Sequence, residues 1–537
     1  EEINNVVGIN NIQTKIDVGT FTCLFIHNLL GDVNIRLYQM NEFFKDKALP
    51  LMIPWKPDID LTEINDDRAG RVLDAIWNSD PQKIFTTVAN AAIRVHKLET
   101  DIIHSDTTSK SFEGAYENQD PDGITPFITH GFNKDHRPDL KQILLGIGTT
   151  ADGIPIMGEV ADGNESDKIF NGRWIKNFRT VLNKDADEFL LNVADSALVT
   201  TDNLNLLADE YMDLISRLPG TFNIEGELKR KAVENEKWEF IGKLSDEKKS
   251  ATYLGWNTTG EIDGRTYRFV VIQSDNKNKR KLKSLAKSIR KENKKVGKEL
   301  KEFGKRPFKC KPDAEIEIEK FTKENGVKYH KIDWEVNEKE EKVKKSKRGR
   351  LKKGEKIQYK KNYYLKGKLS LDKEIYENEC KLCGLFVIIT SLMDINEYSA
   401  KAILERYKGQ GNVERIFKFI KNPAWIGAFC LKKPERLAAL GYILLMAAII
   451  YTIWERRVRK ELAKENVLPI EGLNKRKTKK PTSYALQKVL SSILVLSERI
   501  GNEWYIWLPR PLELNQKRVL ELSGFNEKIY SFGRPSV

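Results

Sequence analysis

GLFVIITSLMDINEYSAKAILERYKGQGNVERIFKFIK, residues 384–421, decides how the whole chain is laid out. Its first seven residues form a short apolar run of the kind that makes a strand buried on both faces. The run follows a long Lys-rich stretch, so it reads as an interrupted core being resumed. From Tyr407 the spacing is helical. Successive residues of a helix turn by roughly 100°, which puts Tyr407, Gln410, Glu414, Lys418 and Lys421 on one stripe and Val413, Ile416, Phe417 and Ile420 on another. The polar stripe suits a surface helix with a Glu414–Lys418 pair of small value. It equally suits a face that grips something anionic.

The interruption is basic. Residues 277–368 carry 34 Lys and Arg against 14 Asp and Glu, a net charge of +20 where the whole chain has +14. The rest of the chain is therefore net acidic, and the excess positive charge belongs to one region. RTYRFVVIQ, AEIEIEKF and YHKIDWEV within or beside it read as strands, residues 279–303 as a long Lys-rich helix and KKSKRGRLKK as a loop. This composition fits a solvated insertion or a nucleic-acid surface.

Ahead of the insertion the pattern is mixed. Residues 1–98 read as helical; in DPQKIFTTVANAAIRVHKL, Asp80 caps, Pro81 suits the first turn, and Ile84, Phe85, Val88, Ala92 and Val95 repeat at helical spacing. DDRAGRVLDAIW signals another helix. TDIIHSDTTSKSF reads as a strand, QILLGIGTTADGIPIMGEV as a hairpin about an Ala-Asp-Gly turn, Ser166 as a helix cap and EFLLNVAD as a buried strand, with cap-like TTDNLNLL after it. Strands alternating with helices predict a mixed sheet with helices on its faces. The organisation expected is a helical N-terminal region (1–98), an α/β core in two parts (99–219 and 381–465), a basic β-rich or α+β insertion domain (220–380) and a helical C-terminal region (466–537).

A chain of 537 residues is too long for one core. Five cysteines, Cys23, Cys310, Cys380, Cys383 and Cys430, are too few and too scattered for a disulfide scaffold, and point to a reducing compartment. The lone CxxC of Cys380 and Cys383 lacks the further ligands a zinc site needs. The opening EEINNVVG has no basic-then-apolar leader and no Met, which suits a start inside a longer polypeptide. LAALGYILLMAAIIYTIW, residues 437–454, is uncharged and just long enough to span a bilayer. Basic residues on both flanks and its isolation favour a helix buried in a globular core. A basic membrane protein is the alternative.

Three acids occupy comparable positions. Asp106 lies in or at the end of the first strand, Asp195 closes EFLLNVAD, and Glu414 sits on the helix after GLFVIIT. Groups at strand ends of such a sheet converge on one crevice. Three carboxylates without a His or Cys cluster suit hard, oxygen-seeking cations such as Mg2+ or Mn2+, which activate an oxygen nucleophile for phosphodiester chemistry. Each acid taken alone is equally a cap or turn residue.

The wording around these acids resembles the DDE transposases of prokaryotic insertion sequences, in the insertion-sequence-four-like branch whose RNase H-like core is split before the catalytic Glu. HSDTTSKSFEGAY with THGFNKDHRPDLKQILLGI resembles the first-Asp motif, and NVADSALVTTDNL the second-Asp motif. DGIPIMGEVADGNESD resembles the intervening hairpin and helix start. YKGQGNVERIFKFIKNP with LKKPERLAALGYILLMAAIIYTIWERRVRKEL resembles the Glu motif and its buried helix, and KKPTSYALQKVL the C-terminal helix. The resemblance implies that Asp106, Asp195 and Glu414 are catalytic and bind Mg2+, with Mn2+ as substitute. It implies DNA contacts by Tyr407, Gln410, Lys418 and Lys421, with Gln410 standing where the family pattern has Arg. It further implies an N-terminal region that binds terminal inverted repeats, cleavage of element ends and joining of 3′-hydroxyls to target DNA by two-metal-ion phosphoryl transfer. The partners implied are double-stranded DNA and a second copy in a homodimeric synaptic complex, without membrane or small-molecule substrate, in the cytoplasm at the nucleoid. A catalytically silent, domesticated DNA-binding descendant is the competing expectation.

Overall fold

The computed structural model describes residues 1–8, 15–31, 39–112, 114, 116, 119, 125–134, 137–235, 237–244, 250–275, 279–342, 359–421, 431–501 and 503–531. The chain divides into two compact units, one made of Glu1–Pro219, Thr259–Arg268 and Ile389–Val537, the other of Gly220–Thr258 and Phe269–Ile388.

The first unit is built on five strands, β1 (Ile102–Phe112), β2 (Lys141–Thr150), β3 (Pro155–Ala161), β4 (Leu191–Ala194) and β5 (Asp213–Arg217), in the order β3-β2-β1-β4-β5. β1, β2 and β3 are antiparallel, while β4 and β5 run parallel to β1 and to each other. β-Branched and small residues buried along β2, β3 and β4 leave no solvent face on these strands. The Ala-Asp-Gly turn joins β2 to β3, with Gly153 at φ +82 supplying the left-handed position.

Helices cover both faces. The N-terminal helices are α1 (Glu2–Val7), α2 (Val18–Leu30), α3 (Met40–Lys45), α4 (Leu49–Met52), α5 (Asp66–Asn78) and α6 (Pro81–His96); α7 (Asp167–Leu182) and α8 (Thr201–Asp209) follow β3 and β4. Asp80 caps α6 by accepting from the Lys83 N–H, and Ser166 caps α7 through the Ile169 N–H. On α6 Ile84, Phe85 and Ala89 are buried, but Val95 is 69 % exposed. The last turn, Arg94 to Lys97, lies in solvent, so the apolar stripe is used only over the earlier turns, where it meets β3, α1, α5 and the helix Pro434–Ala463. α7 takes one sheet face, where its Trp174 indole donates to Glu159 of β3.

The second unit contains β6 (Glu239–Lys243), most of β7 (Thr252–Ile262), β8 (Arg265–Ser274) and β11 (Leu385–Thr390), and the hairpin β9 (His330–Lys342) and β10 (Tyr359–Leu371), with helices α9 (Asn223–Glu234), α10 (Lys279–Phe303), α11 (Lys311–Glu324) and α12 (Lys373–Cys383). Its sheet runs β11-β8-β7-β6, and the hairpin pairs separately through thirteen antiparallel partners. AEIEIEKF forms part of α11 and is not a strand. Its alternation Ala314, Ile316, Ile318 suggests period two, yet Ile316 is exposed while Ala314, Ile318 and Phe321, spaced for one helix face, pack with Phe303 and Trp334. Glu and Lys are good helix formers and Pro312 suits the first turn, so local propensity also favours the helix. The Lys-rich helix spans 279–303 as expected, burying Leu285, Val296, Leu300 and Phe303. The loop KKSKRGRLKK and Cys430 lie outside the described residues.

Back in the first unit the chain forms α13 (Ala400–Lys408), α14 (Gly411–Ile420), α15 (Pro434–Ala463), α16 (Ser483–Leu490) and α17 (Leu514–Leu522). Two short hairpins, 470–478 and 496–507, accompany α16 and α17, a detail that helical periodicity did not signal. The apolar run of α15 is a core helix: 67 % of its most apolar window is buried inside the protein. It packs on β3, α2, α5 and α6, and Arg436 clamps it to α5 by a bidentate pair with Asp74 at 2.6 and 2.7 Å. Gly158 of β3 permits this approach, since a Cβ there would meet the Leu445 side chain.

Candidate active site

Strand register brings two of the three acids together. β1 and β4 pair in parallel up to Ser105 opposite Ala194, so the next residues along each strand are Asp106 and Asp195. Adjacent strands lie roughly 5 Å apart, which makes these acids direct neighbours at the end of the parallel ladder. The Thr107 N–H donates to Asp106 Oδ1 at 2.7 Å, and the Ala197 N–H to Asp195 Oδ1 at 2.9 Å. Asp106 is pushed up to about 7, chiefly by desolvation, with Asp195 and Asp167 adding repulsion and Lys134 opposing. Asp195 is raised as well; its residue reaches solvent, but desolvation of the carboxyl is the main cause. A pair of carboxylates that resists losing its protons is short of positive charge.

Among the described residues, Lys134 is the cation whose charge acts on both. Its Nζ donates to the Thr107 carbonyl at 2.7 Å and Thr107 Oγ1 at 3.0 Å, lies 3.2 Å from Asp167 Oδ2 and 4.0 Å from Asp106 Oδ1. Thr107 Oγ1 in turn donates to Asp167 Oδ1 at 2.6 Å. Lys134 and Asp167 did not stand out in the sequence. Both lay inside motifs quoted as blocks, Lys134 in THGFNKDHRPDLKQILLGI and Asp167 as the last residue of DGIPIMGEVADGNESD.

Glu414 comes from the other side. α13 and α14 are separate helices with a junction at Gly409 and Gln410. α14 packs its Val413, Ile416, Phe417 and Ile420 side against β1 and β2 and leaves Glu414 and Lys418 exposed. Gln410 Nε2 donates to the Ser105 carbonyl at 2.8 Å, which pins the start of α14 one residue away from Asp106. A Cβ at Gly409 would stand 2.7 Å from His104 Cε1, so only glycine lets the junction approach β1 this closely. His104 is buried, its pKa held down at about 4 mainly by desolvation, and its Nδ1 has no hydrogen-bond partner among the described residues. Arg268, also buried, donates to the Tyr398 carbonyl at 2.7 Å and so fixes the entry to α13.

The expected residues therefore fall as follows. Asp106 and Asp195 adjoin, and Tyr407, largely buried, senses Asp195 and Glu414 as well as Arg217 and is raised above the usual tyrosine value, burial being the first cause. The Glu414 carboxylate makes no ion pair with Lys418 and no other polar contact among the described residues. Gln410 spends its amide on the scaffold. Among the described residues no three His, Cys, Asp or Glu side chains stand close enough to hold a metal ion together, so Glu414 is near the pair without joining it.

A family model described as transposase DDE domain matches residues 176–450, just over half of the chain, and one described as a domain of unknown function, DUF4277, matches residues 1–90. The first of these matches contains Asp195 and Glu414 and begins after Asp106. None of the curated proteins matches this chain significantly. Among solved structures, the cryo-EM structure of a piggyBac transposase synaptic complex with hairpin DNA is similar at 10 % identity, covering 86 % of this chain and 72 % of that one, with a TM-score of 0.35. That similarity is too slight to carry an argument. The family match, by its extent, is sufficient: this chain belongs to the DDE transposase family.

Proposed function

We propose that this transposase cleaves the ends of its mobile element at terminal inverted repeats and joins the freed 3′-hydroxyls to target DNA. The observation that carries this reading is the in-register pair Asp106 and Asp195, electrostatically short of a cation, with the unpaired Glu414 carboxylate presented by a helix anchored to the same strand. Such an all-oxygen donor set fits Mg2+ or Mn2+. Asp106, Asp195 and Glu414 would hold the ion, which supplies Lewis-acid activation of the attacking oxygen and stabilises the leaving oxygen. The Thr107 and Ala197 N–H groups fix the two aspartates, and Lys134 offsets part of their charge. Completing the triad requires a shift of Glu414, and the junction flanked by Gly409 and Gly411 is where the backbone can give. Tyr407, Lys418 and Lys421 line the strand path, whereas Gln410 acts as an anchor. Residues 1–98 would bind the repeats, the basic second unit the DNA flank, and two copies would pair the two ends.

The test uses the full chain and labelled DNA from the element's own ends, with Mg2+ or Mn2+. Asp106→Asn and Glu414→Gln should each bind that DNA like the parent and lose nicking and joining by at least about a thousandfold. Because Glu414 stands off from the aspartate pair, a silent DNA-binding protein is the second reading. It prevails if the parent protein binds the ends and cuts nothing.

A further inference from the structure

The opposite face of the Glu414 helix carries a second feature. At roughly 100° per residue, Asn412 and Phe419 lie on the far side of α14 from Glu414, and Arg415 lies about a quarter turn round from it. With α15, the β2–β3 turn and Lys479 and Lys480 they enclose a cleft of about 780 Å³. Its floor is apolar and aromatic: Phe419 and Tyr451 stack with centroids 4.5 Å apart and planes at 30°. Its charge is positive, six Arg and Lys against three carboxylates.

The three carboxylates, Glu99, Asp152 and Glu455, cancel half of that charge and leave a net +3. Glu455 is taken by Arg415 at 2.7 Å, Arg459 at 2.8 Å and the Ser483 N–H at 2.9 Å; Asp152 is taken by Arg456 at 2.6 Å. Among the described residues Lys460, Lys479 and Lys480 pair with nothing, and all three are exposed. A concave site with a flat aromatic floor and an unneutralised basic rim suits a ligand that is planar and apolar at one end and multiply anionic at the other. The volume is that of a small-molecule pocket.

We infer that this cleft is a binding site for a nucleoside phosphate, its base on the Phe419–Tyr451 floor and its phosphates on Lys460, Lys479 and Lys480, separate from the Glu414 face. The same chemistry is offered by a free nucleotide and by one nucleotide of a DNA strand. The inference goes beyond the strand-transfer reading and does not depend on it.

The test reads binding by the full chain in EDTA, so no cleavage enters and loss of the strand-transfer reading would leave it intact. Two probes are titrated: ATP by calorimetry, and a fluorescent twelve-residue oligothymidylate by anisotropy. The variants are K479E/K480E, which reverses the rim charge, and Thr452→Trp, which fills the cleft without changing charge. Ala463→Trp, at an exposed lining position, serves as second filler if Thr452→Trp fails to fold. The expected result is a loss of about tenfold or more in affinity in both the charge and the filling variants. Loss with ATP identifies a free nucleotide, and loss with the oligonucleotide alone identifies a strand. If neither probe weakens, or only the charge variant weakens binding, the cleft is not a nucleotide site and the inference falls.

Discussion

Asp106 and His104 sit two residues apart on β1 and should titrate in opposite directions across the same pH range. The Asp106 carboxyl is raised from 3.8 to about 7, and the His104 imidazole is lowered from 6.5 to about 4. For the raised acid, the unfolded chain gives up its proton first, so stability falls as pH rises from about 4 to about 7. For the depressed base, the unfolded chain takes up its proton first, so stability falls as pH drops from 6.5 towards about 4. Taking one pKa unit as about 1.4 kcal/mol and going from pH 7 to pH 5, Asp106 returns about 2 kcal/mol while His104 removes about 2 kcal/mol. In the native protein these nearly cancel. Asp106→Asn should leave the histidine unopposed and lose about 2 kcal/mol between pH 7 and pH 5 relative to the parent; His104→Gln should gain about as much; the double variant should track the parent. Guanidinium midpoints at the two pH values, in EDTA so that no divalent cation binds the carboxylates, measure this. Other raised carboxyls, such as Glu165 at about 7, titrate alike in all four proteins and drop out of the comparison. If Asp106→Asn keeps the parent's pH dependence, Asp106 is not held near neutrality, and the charge deficit inferred at the strand ends is wrong.

Other consequences follow from single contacts. Gly409→Ala must displace the helix junction from His104, and should cost about 1–3 kcal/mol in denaturant melts. It should also reduce strand transfer more than DNA binding, because Glu414 is carried with the junction. Arg268→Met leaves the carbonyls around Tyr398 without their buried donor and is expected to cost about 2–4 kcal/mol by the same melts. Phe303→Ala removes the ring that meets Phe308, Phe321 and Trp334 and should cost about 3–5 kcal/mol, seen as lost protection from proteolysis in the second unit while the first unit stays resistant. Lys134→Ala withdraws a cation whose charge acts on both Asp106 and Asp195, so proton release from the pair should move to still higher pH, readable by carboxyl infrared bands against the parent.

Much of the fold was legible because its signals are local. The two caps at Asp80 and Ser166, the Ala-Asp-Gly turn and the Lys-rich helix each depend on neighbours within a few residues, and each forms where its residues indicate. AEIEIEKF was misread because two periods coexist in it, and the one that wins is decided by Phe303 and Trp334, distant in sequence. The buried character of α15 was readable from its charged flanks, but which helices bury it was not. The hairpins beside α16 and α17 are short, and two- to five-residue strands leave little periodicity to detect.

The site divides along the same line. That Asp106 and Asp195 meet follows from strand pairing, and a strand end with an acid is visible in sequence once the strand is. What surrounds them is not: Lys134 arrives from a loop and Asp167 from a helix start, paired with one another and both bonded to the buried Thr107 of β1. The polar stripe of 407–421 holds as one face only if the stretch is mostly helical, a condition Gly409 and Gly411 limit in the sequence itself; the chain forms two helices meeting at Gly409, and Gln410 turns inward to Ser105. The break matters more than the stripe. A continuous helix would fix Glu414 rigidly to Tyr407. Two helices joined at a glycine place Tyr407 and Glu414 on separate elements, with Tyr407 feeling the charges of Arg217, Asp195 and Glu414. A triad that closes only when a cation and DNA arrive costs the resting protein less charge repulsion than one permanently assembled, since a third carboxylate beside Asp106 and Asp195 would raise their proton affinity further.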